Sequence, residues 1–178
     1  MIFWFTGQPG SGKTTLGKAL LEKLDDSFHI DGDDLRGLSS NADYSEQGRI
    51  NNIRTAQSIA MYLDNKGKNV VVSVVAPYKW LREEFKDRHE VCEIYLHTTE
   101  IRGREHYFVE DYEVPKENFL DMDTTNISVE DCILKILKEL ILPLQVSIVI
   151  ILVQEVLIQA SLVVCLLLRM AEWPTFLH

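Results

Sequence analysis

Gly7-Gln-Pro-Gly-Ser-Gly12-Lys13-Thr14 follows a short apolar run, Ile2–Thr6, and opens a stretch with Leu16, Ala19, Leu20 and Leu24 at helical spacing. The octet fits G-x-x-x-x-G-K-[ST], and a strand before it with a helix after it is the context that gives this spacing meaning. Glycines permit the tight turn that aims successive N–H groups at phosphate oxygens. The start of the helix adds partial positive charge. Lys13 supplies a mobile cation for the β- and γ-phosphates, and the Thr14 hydroxyl is a ligand for Mg²⁺. Gly7, Gln8, Pro9, Gly10, Ser11, Gly12, Lys13, Thr14 and Thr15 are therefore the candidate ATP-binding residues. A plain glycine-rich connector does not account for all eight positions in this context. The octet says what is held; it does not say where a phosphate goes.

The rest of the pattern alternates strands with helices. Phe28–Ile30 reads as a strand ending in Asp31-Gly-Asp-Asp34. Glu46–Lys66 carries the stripe Ile50, Ile53, Ala56, Ile59, Ala60 and Leu63, closed by Gly67. Asn69–Ala76 is β-branched and reads as a core strand, Tyr78–Asp87 as a short helix and Val91–His97 as a strand. Thr98–Asn118 has no period and is a long loop or lid; Phe119–Asp123 is a last strand. Ser128-Val-Glu-Asp131 is a capping-box-like start for a helix to about Leu142. This order predicts an α/β fold with a mostly parallel sheet covered on both sides.

Charge divides the 178 residues unevenly. The net charge of −9 argues against a nucleic-acid backbone as partner, though a few placed cations can still hold a small anion. From Pro143 to His178 the only charged side chains among Asp, Glu, Lys and Arg are Glu155, Arg169 and Glu172, so 1–142 reads as one domain and 143–178 as a hydrophobic C-terminal extension. Val146–Leu168 is long enough to span a bilayer, but Glu155 near its middle opposes this by about 2.5–3.5 kcal/mol on insertion scales. A helix that docks on a partner is a second reading, and an out-of-frame or chimeric end a third; the pattern's finish near Leu142 favours the third. Cys92, Cys132 and Cys165 form no C-x-x-C pair and suggest a reducing compartment. The first residues lack a positively charged leader, so the expected location is cytoplasmic. His29, His89, His97 and His106 have no metal-ligand spacing.

In a doubly wound sheet, Asp31-Gly32-Asp33-Asp34-Leu35-Arg36 should face the phosphate loop across one crevice. A turn and N-cap cluster is the bland alternative, outweighed by the loop upstream. A phosphotransferase needs one carboxylate to take or orient a hydroxyl proton and one to position hydrated Mg²⁺. Together with Tyr44-Ser45, Arg49-Ile-Asn-Asn52-Ile53-Arg54 and Ala76-Pro77-Tyr78-Lys79, the chain resembles the adenylylsulfate (APS) kinases over about residues 1–142. The family pattern is a phosphate loop, D-G-D-x-[LIV]-R, an aromatic-Ser pair, R-x-x-N-I-R and S-P-Y-R. The resemblance implies a P-loop NTPase-like three-layer sandwich and transfer of the ATP γ-phosphate to the 3′-hydroxyl of adenylylsulfate, giving PAPS and ADP in sulfate assimilation. It implies Asp33 as the catalytic and Mg²⁺-linked carboxylate with Asp31 in support. Asp33, Arg36, Tyr44, Arg49, Asn52 and Pro77 become candidate acceptor contacts, and a homodimer is implied. Arg49 and Asn52, three apart, share a helix face, whereas Arg54 lies on another and is left unassigned.

Two departures stand out. Ala76 replaces a serine described in the family as a phosphoserine intermediate; a methyl group accepts no phosphoryl group, so transfer here must be direct. Thr98–Asn118 is shorter than the family's lid, and Arg102, Arg104, Tyr107 and Phe108 are candidates to replace its contacts. Another small-molecule or nucleotide kinase, or an ATP-binding module without turnover, are the alternatives.

Overall fold

The computed structural model describes residues 1–39, 42–141 and position 154. Five strands, β1 (Ile2–Thr6), β2 (Ser27–Asp31), β3 (Asn69–Ser73), β4 (Val91–His97) and β5 (Leu120–Asp123), form one sheet in the order β2-β3-β1-β4-β5. Every pairing is parallel, with Phe3 level with Val71 on one side and Cys92 on the other. The fold is thus the α/β, P-loop NTPase-like sandwich expected.

β1 sits in the middle of the sheet and is buried along its whole length, so both faces of the strand are apolar. Alternate residues divide between the two faces. Ile2 and Trp4 join Val70, Val72 and Val74 in a core closed by α3 (Glu46–Asp64), through Ile53, Ala56 and Ala60, and by Leu81 and Phe85 of α4 (Lys79–Lys86). α1 (Lys13–Leu21) touches β1, β2, β3 and α5 (Val129–Ile136). Its approach is close: a Cβ on Gly17 would lie 2.5 Å from Ser73 Oγ and 2.9 Å from His29 Nε2. A glycine is required there because two polar side chains already fill the space.

Four differences from the sequence pattern matter. α1 stops at Leu21 rather than Leu24. The Asp31–Asp34 cluster runs straight into a helix, α2 (Gly32–Ser39), which the turn-forming residues hid. β3 leaves the ladder at Ser73, short of Ala76, whose φ of +42° ends the extended run. The last helix is α-helical to Ile136 and then π-helical from Leu137 to Ile141. Thr98–Asn118 carries only a 3₁₀ turn, Glu105–Tyr107.

The chain forms two units, residues 1–136 and 137–178. Of the second, the π-helical turn and a helical position at Gln154 are described. The boundary read from charge at 142/143, the Val146–Leu168 run apart from Gln154, and Cys165 lie outside the described residues. Among those described, no helix is long and apolar enough to cross a membrane.

Candidate active site

The phosphate loop is shaped by its glycines. Gly7 (φ +143°) passes so close to β4 that a Cβ would sit 2.1 Å from the Leu96 carbonyl oxygen. Gly12 (φ +99°) caps α1 with no side-chain bond to the helix's first turn. Those N–H groups remain available to an anion. Lys13 Nζ folds back to donate to the Gln8 carbonyl at 2.8 Å. Burial pulls its pKa down to about 8, against the opposing pull of Asp33 and Asp31.

Asp31 ends β2 and is fixed at both oxygens: Thr14 Oγ1 donates to Oδ2 at 2.6 Å, and the Asp33 N–H donates to Oδ1 at 2.9 Å. Through Asp31 the two bonds together join the loop helix to the start of α2. Asn52 is buried rather than a surface amide, and its Nδ2 donates to the Gly32 carbonyl at 3.1 Å. Asp33 is exposed and lines the cavity above them.

Across from the loop stands Tyr44, with its ring open to solvent. The Arg36 guanidinium lies 4.4 Å from the ring centroid and that of Arg49 5.8 Å, within cation–π range. Arg36 Nη1 donates to the Asp43 carbonyl and Arg49 Nε to the Tyr44 carbonyl. Ser45 caps α3 by accepting from the Gly48 N–H at 3.2 Å. Gly48 in turn leaves room for Asp43, whose carbonyl oxygen would be 2.3 Å from an added Cβ. Cap and glycine together aim Arg49, and one turn later Asn52, at the same space.

That space is a cavity of about 860 Å³. It gathers Pro9, Gly10, Gly12, Lys13, Thr14 and Thr15 on one side with Arg36, Tyr44, Arg49 and Asn52 on the other. Asp31 and Asp33 lie between, and Ala76 with Pro77 form a wall. Gly7, Gln8 and Ser11 do not line it; the Ser11 carbonyl accepts from Thr124 Oγ1 beneath the loop. Arg54 pairs with Glu84 elsewhere on the surface. Arg104, Tyr107 and Phe108 line the cavity, but Arg102 lines a second one of about 330 Å³ behind the loop, donating to the carbonyls of Gly10 and Thr124.

Sequence reasoning missed His106 and Ser73, which also line the main cavity. Ser73 Oγ donates to the Lys13 carbonyl at 3.0 Å, so its 2.9 Å bond with His29 must use the imidazole Nε2–H as donor. Burial lowers the His29 pKa, which favours the neutral ring over the imidazolium. A serine in a β-branched run was the one available signal.

Among the described residues there is no cluster of three His, Cys, Asp or Glu side chains arranged for a metal. The donors that line the cavity, the Thr14 hydroxyl and the carboxylates of Asp31 and Asp33, are hard oxygens, the set that suits Mg²⁺ alongside a phosphate.

The chain is 36% identical to the cytidine diphosphoramidate kinase of Campylobacter jejuni over 98 residues, 51% of this chain and 58% of that one. It is 28% identical to the adenylyl-sulfate kinase of Staphylococcus carnosus over 166 residues, 79% of this chain and 83% of that one. The match spans about half the length of most of the curated relatives. In fold it is similar to the Mycobacterium tuberculosis APS kinase CysC in complex with AMPPNP and APS, with a TM-score of 0.66 at 23% identity, over 77% of this chain and 95% of that one. The family model described as Adenylylsulphate kinase matches residues 1–106, and the chain belongs to that family.

Proposed function

We propose that the chain is an ATP-dependent kinase that transfers the γ-phosphoryl group to the 3′-hydroxyl of adenylylsulfate, giving PAPS and ADP, in the cytoplasm and as a step of sulfate assimilation. One observation carries this reading: a single cavity has Lys13 and the glycine loop at one end and the Arg36–Tyr44–Arg49 group at the other, with two carboxylates between. A nucleotide bearing two anionic groups asks for guanidinium charge and an aromatic ring, which that far end supplies.

In this mechanism Asp33 accepts the hydroxyl proton as the acceptor oxygen bonds to the γ-phosphorus and the bond to the β–γ bridging oxygen breaks. Asp31, held by Thr14 and the Asp33 N–H, keeps that carboxylate in place. Lys13 leaves the Gln8 carbonyl for the phosphates. Thr14 and Asp33 would hold Mg²⁺, which adds positive charge at the phosphates when bound. Pro77 and Asn52 shape the acceptor's end. The Ala76 side chain offers no hydroxyl to carry a phosphoryl group, so the displacement is a single step. A homodimer completes the proposal, with light scattering as its check; residues 143–178 receive no role.

The relative that phosphorylates cytidine diphosphoramidate favours a second reading, in which the acceptor is a different nucleotide. ADP release measured without acceptor, with adenylylsulfate and with cytidine diphosphoramidate separates the two. ADP that depends on adenylylsulfate supports the first. ADP only with the cytidine compound replaces it, and ATP binding without turnover removes both in favour of a non-catalytic module.

A further inference from the structure

Gln8 sits inside the phosphate loop, yet its side chain points away from the cavity, toward the segment that closes it. Its Nε2 donates to the Val109 carbonyl at 2.8 Å, and its Oε1 accepts the Val109 N–H at 3.0 Å. A primary amide offers a donor and an acceptor side by side, so this side chain stands in for one rung of a β-ladder. Apart from this pair, the hydrogen bonds that tie the segment to the rest of the described residues lie toward its ends. Arg102 binds the carbonyls of Gly10 and Thr124 at one end. At the other, Tyr112 meets Thr6 at 2.7 Å and the Glu113 N–H donates to the Pro77 carbonyl. Among the described residues, the hydrogen bonds from 106–111 that leave the segment 102–111 are the two to Gln8. Val109 directly follows His106, Tyr107 and Phe108, which line the cavity.

We propose that Gln8 is a positioning residue, a clasp that sets the height of the 106–108 wall over the acceptor's end according to the shape of the phosphate loop. The same residue's carbonyl holds Lys13 Nζ, so one residue is tied both to the loop's cation and, through Val109, to the segment whose residues 106–108 line the cavity. A nucleotide that draws Lys13 off the Gln8 carbonyl therefore acts on the segment carrying Phe108. The clasp rests on the kinase reading above for its kinetic consequence, but not for its structural one.

The test uses the full chain with Gln8→Met, similar in length but with neither donor nor acceptor, and Gln8→Glu, which keeps the acceptor for the Val109 N–H. Hydrogen exchange at the Val109 amide should quicken about tenfold in Gln8→Met, the size of one or two hydrogen bonds, and less in Gln8→Glu. Steady-state kinetics of Gln8→Met should show the acceptor KM raised about tenfold, the ATP KM changed less than about twofold, and more ATP hydrolysed without acceptor. Native-like exchange at Val109 overturns the clasp. A parallel rise in both KM values also overturns it, because that marks general damage to the loop. Wild-type protein that makes no ADP with adenylylsulfate refutes the functional reading alone, and the exchange measurement still decides the clasp.

Discussion

The two ends of the cavity are built in opposite ways. At the donor end the chemistry is backbone: glycines with positive φ and a helix start present N–H groups, and Lys13 is the main side chain. At the end proposed for the acceptor the lining is side chain: guanidinium groups, a ring and an amide drawn from three stretches, Arg36 of α2, Tyr44 before α3, and Arg49 with Asn52 on α3. A backbone site tolerates few changes and offers one kind of grip. A side-chain site can be re-aimed residue by residue, which is how one family can keep a donor and vary its acceptor.

The carboxylates between the ends should give the largest effect. Asp33→Asn keeps the side chain's shape and removes the proposed proton acceptor, so turnover should fall by about 10²–10⁴ while ATP affinity stays within a few-fold. Turnover from steady-state ADP release, paired with calorimetric ATP binding, reads both. Equal losses in the two would place Asp33 at the donor end and break the division.

Charge geometry at the acceptor end comes next. Arg36→Lys keeps the charge but loses the planar group stacked 4.4 Å from the centre of the Tyr44 ring and able to grip an anion with two N–H bonds. The acceptor KM should rise about 10- to 100-fold with the ATP KM unmoved. Equal function in the lysine variant would mean that Arg36 acts as a point charge and that its place over the Tyr44 ring does not matter.

The same contrast explains what the sequence could reveal. The phosphate loop was legible because its meaning lies in consecutive positions, each limited by backbone geometry. The sheet was legible because a strand buried on both faces, such as Val70–Ser73, has few other uses. α2 was not, since Gly32, Asp33 and Asp34 favour turns locally, and the bond from Asn52 that holds the start of the helix comes from twenty residues further along the chain. Nor were Ser73 with His29, or Gln8 with Val109. Both pairs join stretches far apart in the chain, and no periodicity registers a hydrogen bond between them.

Two glycines sharpen the comparison at lower amplitude. Gly48→Ala would push a Cβ to 2.3 Å from the Asp43 carbonyl oxygen, under the residues that present Tyr44. Gly17→Ala would push one to 2.5 Å from Ser73 Oγ, under the start of α1. Each should cost about 1–3 kcal/mol in denaturant unfolding, the usual range for overpacking. Their kinetic signatures should differ: Gly48→Ala raises the acceptor KM, whereas Gly17→Ala raises the ATP KM through the His29–Ser73–Lys13 chain. Identical signatures would mean that the two ends are mechanically one.

The smallest effect concerns protons. In the free protein burial lowers the Lys13 pKa to about 8, so near that pH about half of the molecules lack the charge a phosphate requires. An arriving polyphosphate favours the charged form and raises that pKa, so binding at pH 8 must draw up to about half a proton per site from solvent. The sign follows from the direction of the shift. Below pH 7 the lysine is already charged and the uptake vanishes; above pH 8 the uptake grows toward one proton while affinity falls. Calorimetric titration with ATP in two buffers of different ionisation enthalpy measures this number directly. Lys13→Arg, whose group stays charged throughout, should abolish it. Uptake that persists in the arginine variant would move the effect to another group, and the donor end would then rest on its main-chain amides with little help from a tuned side chain.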